Sequence, residues 1–526
     1  MFPPRLMPIR CWPLLAGLGL ACVAEHGPLT NRMSQAATPY LARAAREPVS
    51  WQPWGRDAFA LAARLDRPVL LYVGAEDCRS CGVMEREVYR DPGLGALIDS
   101  LFVPVRVDRD ERPDVAQRYG AAVRALAGLS GYPVTVFLTP DGSAFFGGTY
   151  FPLDDPLTGR GLRQLLPEIA KSYREQRRAV LDRAALVREL SLGGGARPGA
   201  LSPVAVGRAL EAVRAALAAA ATRPELLATV RATRAAELLL AAYAHTGDSS
   251  YLVPARAAVG YLVDSGEAVL ARAARDDPPD LVRAGLLRDL AAWQAAGTAP
   301  VRDAAAVREL VRRLAGEVAR PAREGAGERV RAVVFADRSA YLIGSVLEAG
   351  RAAGDGAVVG RAAAALDTLL RRVYARGRPV RHATQRGGAA STAPPLLDDQ
   401  VQVAGACLAA YAATGAPHYR EIAEDVAGVL ERDFADSSSG GYFEAAAPDG
   451  AAPALALRGK PVLDDLLPGG NAWAARVLLE LARATGQAAY RRRAAATLTA
   501  LARAVAAEDM RAATYLTAAQ ELGVPQ

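Results

Sequence analysis

The hydrophobic pattern of this chain changes its period once, near residue 200, and that switch limits the fold more than any other feature. Before it, short apolar runs of strand length alternate with helical stretches; beyond Ser202, Ala, Leu and Arg recur almost entirely with helical spacing. Arg56 to Leu65 reads as a helix, Pro68 to Val73 as a strand, and Cys81 to Tyr89 as a second helix. Phe102 to Val107 predicts another strand, Pro113 to Leu126 a helix, and Val134 to Leu138 a third strand. The turn Pro140-Asp141-Gly142 then feeds a fourth near Ala144 to Gly147. Such alternation is what an α/β layer demands.

The order strand, CxxC helix, strand, helix, strand, hairpin is that of a thioredoxin core. Gly161 to Glu189 is helical, after which Gly193-Gly194-Gly195 and Pro198-Gly199 interrupt the pattern and mark a boundary. A chain of 526 residues exceeds the ~250–300 that one core supports. We expect an export leader over 1–30, a thioredoxin-like domain over 31–190, a linker over 191–201 and an all-helical domain over 202–526. Within the helical part a weak repeat recurs: Thr246-Gly247 before Tyr251, Thr414-Gly415 before Tyr419, and Thr485-Gly486 before Tyr490, with a degenerate copy at Ala353-Gly354. The glycine closes one helix in the left-handed conformation, and the tyrosine packs back into the next. Room for about twelve helices of typical length favours a closed ring of hairpins, an (α/α)6-type barrel, over an open superhelix.

A net charge of +7 raises the question of a polyanion partner. The basic residues are nearly all arginines, with only Lys171 and Lys460 as lysines, and they are scattered along helices among Asp and Glu. Solvated helix faces explain that distribution, and no nucleic-acid recognition motif is present. Residues 1–30 resemble an export signal, with Arg5 and Arg10 ahead of the apolar Pro13 to Ala21. Cleavage after Ala24, or lipidation of Cys22 within Leu20-Ala21-Cys22, are the alternatives; Gly19 stands where a lipoprotein signal usually has Leu. We therefore expect a periplasmic or cell-envelope protein that meets the membrane only through a lipid anchor, if at all.

Of five cysteines, Cys11 and Cys22 lie in the leader, and Cys407 sits in an Ala-rich helix as a small hydrophobe. That leaves Cys78 and Cys81, in Glu76-Asp77-Cys78-Arg79-Ser80-Cys81, where a strand gives way to a helix. Unpaired amides and the helix dipole there stabilise a thiolate on the first cysteine. Arg79 adds to this, whereas Glu76 and Asp77 oppose it. Cys78 is then the attacking thiolate and Cys81, one turn further in and less exposed, the resolving thiol. Half of a zinc site is the rival reading of a CxxC. No second CxxC or spaced histidine pair exists, and His26, His245, His382 and His418 are scattered, so we expect no metal and no cofactor. Tyr132-Pro133 opens a strand beyond the cysteines; in thioredoxin-like folds a cis-proline at this place lies against them and shapes the client groove.

Residues 31 to about 175 resemble the spermatogenesis-associated thioredoxin-like family. The matching stretches are Asn31-Arg32, Thr38 to Leu41, Pro48 to Trp51 with Pro53-Trp54-Gly55, Cys78 to Glu85, Val107 to Asp114, and Tyr132 to Pro152. The resemblance implies a C-terminal six-hairpin α/α barrel related in fold to the N-acylglucosamine 2-epimerases. Leu397-Asp398-Asp399, Gly440 to Phe443, Arg458-Gly459-Lys460 and Pro468 to Asn471 look like its barrel motifs. It makes Asp398, Asp399, Arg458, Lys460, Asp464 and Asn471 candidates for a sugar-binding mouth, against the plainer reading that they cap helices and stitch loops. Two departures stand out: the family usually has an aromatic before the second cysteine and a His after it, where this chain has Ser80 and Gly82. Residues 200–330 also lack the aromatic and His-rich segment of the family, and no histidine pair offers the acid and base that epimerisation needs.

Three functions follow as expectations. The first is a thiol-disulfide oxidoreductase, with a protein or small-molecule thiol or disulfide as client and Tyr132 beside the reacting sulfur. The second is a carbohydrate-binding or sugar-processing barrel, and the third a non-catalytic scaffold.

Overall fold

The computed structural model describes residues 29–155, 160–193, 199, 201–273, 277–298, 304–318, 333–385, 393–446, 458–506 and 508–524. Residues 1–28 of the expected leader, including Cys22, and most of the expected linker lie outside these residues.

The N-terminal unit is a five-stranded sheet: β1 Gln52–Pro53, β2 Val69–Gly74, β3 Val103–Asp108, β4 Val134–Leu138 and β5 Ala144–Gly148. Its order is β1-β3-β2-β4-β5, with β3 parallel to both neighbours and β4 antiparallel to β2 and β5. Because side chains alternate across a strand, the apolar runs feed two cores. Val69, Leu71 and Val73 join Val103, Val105 and Val107 on one face, under α2 (Arg56–Leu65) and α5 (Pro113–Ala127). Leu70, Tyr72 and Phe137 face the other way. There they meet α1 (Pro39–Arg43), α3 (Arg79–Glu87), α4 (Pro92–Leu101) and α6 (Leu162–Glu175). Both faces are covered, which is why these strands read as continuous hydrophobic runs. The last helix, α7 (Arg177–Gly193), reaches three residues into the expected linker.

From Pro203 onward the described residues form twelve α-helices. They are α8 Pro203–Ala220, α9 Val230–Thr246, α10 Ser249–Ala273, α11 Pro279–Ala295, α12 Ala304–Val318 and α13 Ala336–Ala352, then α14 Gly356–Val373, α15 Leu397–Thr414, α16 Pro417–Val429, α17 Gly470–Thr485, α18 Ala488–Leu501 and α19 Ala513–Leu522. Helices α9, α11, α13, α15, α17 and α19 each pack on the next, and α19 returns to α9, so they close a ring inside the other six. The fold is thus a thioredoxin-like domain joined to an (α/α)6 barrel.

Charged side chains fill the barrel interior. Arg288 on α11 binds Glu237 on α9 at 3.1 Å and Glu348 on α13 at 2.9 Å, while Arg476 on α17 binds Glu237 at 3.1 Å and Glu521 on α19 at 3.0 Å. Both guanidiniums also lie over the Trp473 ring, at 4.8 and 5.0 Å. Burial would raise the Glu237 carboxyl, but the two arginines outweigh it and bring its pKa to about 2.

The repeat glycines do what their spacing implies. Gly247, Gly415 and Gly486 each follow a helix with φ of 72°, and Gly354 has φ of 64°. Nothing lies within 4 Å of a Cβ added at Gly415, so Gly415→Ala should cost backbone strain alone. We expect a loss of about 1–2 kcal/mol in chemical denaturation, with the fold unchanged by circular dichroism.

Candidate functional site

Strand β2 ends at Gly74, where a Cβ would come within 2.1 Å of the Tyr40 hydroxyl oxygen; only glycine permits that approach. The chain then turns through Ala75-Glu76-Asp77 into α3, whose N-cap is Cys78. Cys78 and Cys81 form a disulfide. The Cys81 amide donates to the Cys78 Sγ at 3.1 Å, so the helix N-terminus points a hydrogen-bond donor at the first sulfur. Tyr132-Pro133 is cis, and the strand it opens pairs Val134 with Val73 of β2. Tyr132 shares a core cluster with both cysteines.

The expected exposure of the helix tip needs correction. Cys78 is 3% exposed and Cys81 fully buried, because the barrel covers one side of the pair. Arg338 at the start of α13 binds Asp77, next to Cys78, at 2.8 Å, and also Asp280 at 2.8 Å and Asp110 at 3.4 Å. Burial pushes Asp77 up, yet the Arg109 and Arg338 guanidiniums prevail and hold its carboxyl below the usual range. Barrel segment Asp465–Leu467 lies against Tyr132: the Tyr132 hydroxyl donates to Asp465 at 3.2 Å, and Leu466 packs on the cluster around the disulfide. Arg234 on α9 anchors that segment by donating to the carbonyls of Asp465, at 2.6 Å, and Leu466. Asp465–Leu467 thus packs against Tyr132, while Ser130, Gly131, Tyr132 and Val134 line an open cleft of about 430 Å³.

Cys78 meets solvent on its other side, in a cleft of about 470 Å³ built entirely by the N-terminal unit. Its floor is Arg106 of β3, 1% exposed, which binds Glu47 at 2.7 Å and Glu85 at 2.8 Å under the rings of Tyr40, Trp51 and Tyr72. The Tyr40 hydroxyl donates to the same Glu85 at 2.5 Å. Of the two cysteines, Cys78 lines this cleft and Cys81 does not.

The six barrel candidates separate into two groups. Asp398 and Asp399, in the first turn of α15, lie at the barrel mouth beneath the N-terminal unit, where Gln117 of α5 donates to Asp398 at 3.2 Å. Burial, reinforced by Asp337, pushes Asp398 up to about 7. The other four spend their polar atoms on nearby loops. Lys460 binds Asp436 at 2.6 Å and donates to Ser439 and Gly440. Arg458 donates to the carbonyls of Ala445 and Ala446. Asp464 accepts from the amides of Gly469 and Thr514, and Asn471 clamps Tyr442 through both its N–H and C=O.

Sequence reasoning missed His382. It stands directly before β7 (Ala383–Gln385), which pairs antiparallel with β6 (Val333–Phe335) across the intervening α13 and α14 and so brings it to the mouth. There its Nδ1 meets Asp399 at 2.9 Å and its Nε2 meets the carbonyl oxygen of Asp110 at 2.8 Å. A carbonyl only accepts, so Nε2 carries a proton; the carboxylate takes the proton on Nδ1. Burial would lower His382, but Asp399 and Asp337 outweigh it and push its pKa up to about 10. The ligand atoms of Asp337, His382 and Asp399 lie within 4.8 Å of one another. With both ring nitrogens donating, however, the cluster is an ion pair filled by protons. The only sequence signal was the Val107 to Asp114 block, whose Asp110 supplies the carbonyl.

Comparison with known proteins places the N-terminal unit. Residues 30–191 match the family model Thioredox_DsbH, described as a protein of unknown function, DUF255. Spermatogenesis-associated protein 20 of Homo sapiens and that of Rattus norvegicus are each 40% identical to this chain over 152 residues, which is 29% of this chain and 19% of the relative. The match thus spans about a fifth of those relatives. Among solved structures, an unsaturated glucuronyl hydrolase specific for heparin superposes with a TM-score of 0.45 at 12% identity, over 62% of this chain and 100% of that one. Cellobiose 2-epimerase from Bacillus thermoamylovorans gives 0.39 at 10%, over 51% and 74%.

The His382 ion pair fixes a pH dependence. Its folded pKa of about 10 stands above the ordinary 6.5, so its stabilisation is complete below about pH 6.5 and fades as pH rises through 10. We expect His382→Gln to cost about 3 kcal/mol at pH 6. In urea unfolding at a series of pH values, the gap to the parent protein should narrow steadily toward pH 10.

Proposed function

We propose, from the premise that residues 30–191 belong to the spermatogenesis-associated thioredoxin-like family, that this protein carries out thiol-disulfide exchange at Cys78 and Cys81. The observation that carries the reading is the Cys78 sulfur accepting from the Cys81 amide at a helix N-terminus, with Cys78 lining an open cleft. An incoming thiolate attacks the Cys78 sulfur, a bond forms between the two, and the Cys78–Cys81 bond breaks with Cys81 leaving as a thiolate that takes up a proton. In the opposite direction, the Cys78 thiolate attacks a client disulfide, and Cys81 then resolves the mixed disulfide and restores the bridge. The helix amides favour negative charge on Cys78. Pro133 leads into the strand that pairs with β2 ahead of the cysteines, and Tyr132 contacts the barrel through Asp465. We place this chemistry in the cell envelope on the strength of the leader-like residues 1–30, with cleavage after Ala24 or lipidation of Cys22 as the alternatives that the intact mass of the membrane-extracted protein distinguishes.

A second reading, sugar binding, is supported by a cleft of about 430 Å³ between the two domains, lined by Arg118, Arg124, Arg231, Lys460, Asp465 and Arg511 among others. The barrel mouth itself is roofed, and the cavity left there, about 50 Å³, is too small for a pyranose ring. If the cleft binds mono- or disaccharides, millimolar ligand raises the melting temperature by mass action; no shift across a sugar panel removes this reading.

For the exchange reading, Cys81→Ser should accumulate a mixed disulfide at Cys78 that intact mass reports, and Cys78→Ser should accumulate none. Absence of any adduct on Cys81→Ser contradicts the proposal.

A further inference from the structure

The cleft in front of Cys78 holds more positive charge than its own architecture uses. Arg43, Arg46, Arg86, Arg90 and Arg106 line it against three glutamates. Those glutamates are already matched: Arg106 at the floor binds Glu47 and Glu85, and Arg43 binds Glu76 at the rim. Arg86 and Arg90 are exposed and make no ion pair among the described residues. Arg86 Nη1 lies 3.2 Å from the place where a Cβ on Gly82 would sit. The bare position after the second cysteine thus leaves room for a guanidinium over the first turn of α3.

Shape narrows the occupant further. A volume of about 470 Å³ is that of a small-molecule site. The cleft beside Tyr132 and Val134 is lined by neither cysteine, so a client seated there gains no approach to Cys78. What remains open is a short, positively charged approach that ends on one sulfur.

We propose that the exchange partner of Cys78 is a small thiol, or its disulfide, bearing a carboxylate or similar anionic group that Arg86 and Arg90 hold while its sulfur meets Cys78. The inference rests on the exchange chemistry proposed above. Guanidinium–carboxylate pairing fixes the orientation of such a molecule as well as attracting it. The first thiolate displaces Cys81 and bonds to Cys78. A second molecule of the thiol, as thiolate, attacks the sulfur of the first, releasing Cys78 as a thiolate. Two small thiols are then oxidised to their disulfide, the protein disulfide is reduced to two thiols, and the protons lost by the small thiols balance those gained by the cysteines.

The test compares three thiols of one skeleton, mercaptoethanesulfonate, mercaptoethanol and cysteamine, as reductants of the purified full chain. Rates are read by alkylation and intact mass and corrected for the thiolate fraction of each reagent. We expect the sulfonate to react at least about fivefold faster than cysteamine at low ionic strength, with the gap closing in high salt. The Arg86→Glu, Arg90→Glu double variant should reverse the order, the pair of alanine substitutions should bring the rates together, and the Arg64→Glu, Arg174→Glu double variant, an equal charge change at exposed sites on α2 and α6, should leave the order intact. Equal rates in the parent protein, or an order that survives the double reversal, overturn the inference while leaving exchange standing. If mercaptoethanol too fails to reduce the disulfide, the exchange reading falls and this one with it.

Discussion

Arg338 is the interaction on which the arrangement of the molecule depends. It leaves the barrel at the first turn of α13 and binds three aspartates: Asp280 of its own domain, and Asp77 and Asp110 of the thioredoxin-like domain. His382, held between Asp399 and the Asp110 carbonyl, reinforces the same seam. Each of these groups is largely removed from water, so each needs its partner. Since Asp77 immediately precedes Cys78, the seam ties the chain next to the Cys78–Cys81 disulfide to the barrel.

That constraint decides which way the site faces. Asp465–Leu467, anchored by Arg234, packs against Tyr132 beside the cis-proline. Among the described residues, Cys78 lines the cleft that the N-terminal unit builds over Arg106. The barrel serves as a rigid wall for this purpose. Its mouth is roofed and its interior is braced by Arg288, Arg476 and their glutamates.

The fold was largely legible in the sequence, because the signals were local. Strand-length apolar runs, a helix-opening CxxC and glycines placed to close helices each record a backbone requirement at its own position. Cys78, Cys81 and the Tyr132-Pro133 bond were legible for the same reason. The seam was not, since it joins residues such as Asp110 and His382, 272 positions apart, and an isolated histidine carries no mark of its partner. The burial of Cys78 followed the same blind spot: spacing located the sulfur on a helix end, but only the docked barrel hides one of its sides. Arg458, Lys460, Asp464 and Asn471 show the converse limit. Polar residues in a tight cluster of motifs look like a mouth, while in three dimensions their atoms hold loops together.

The account stands or falls on whether the buried bridge exchanges with thiols in solution. The most direct measurement equilibrates the purified chain with glutathione buffers of graded ratio, quenches by alkylation and reads the reduced fraction by mass. The account predicts a single two-electron transition assigned to Cys78 and Cys81, reached from the oxidised and the reduced side alike. A bridge that stays closed across the full range of ratios while the protein remains folded, or cysteines that never pair, would contradict it.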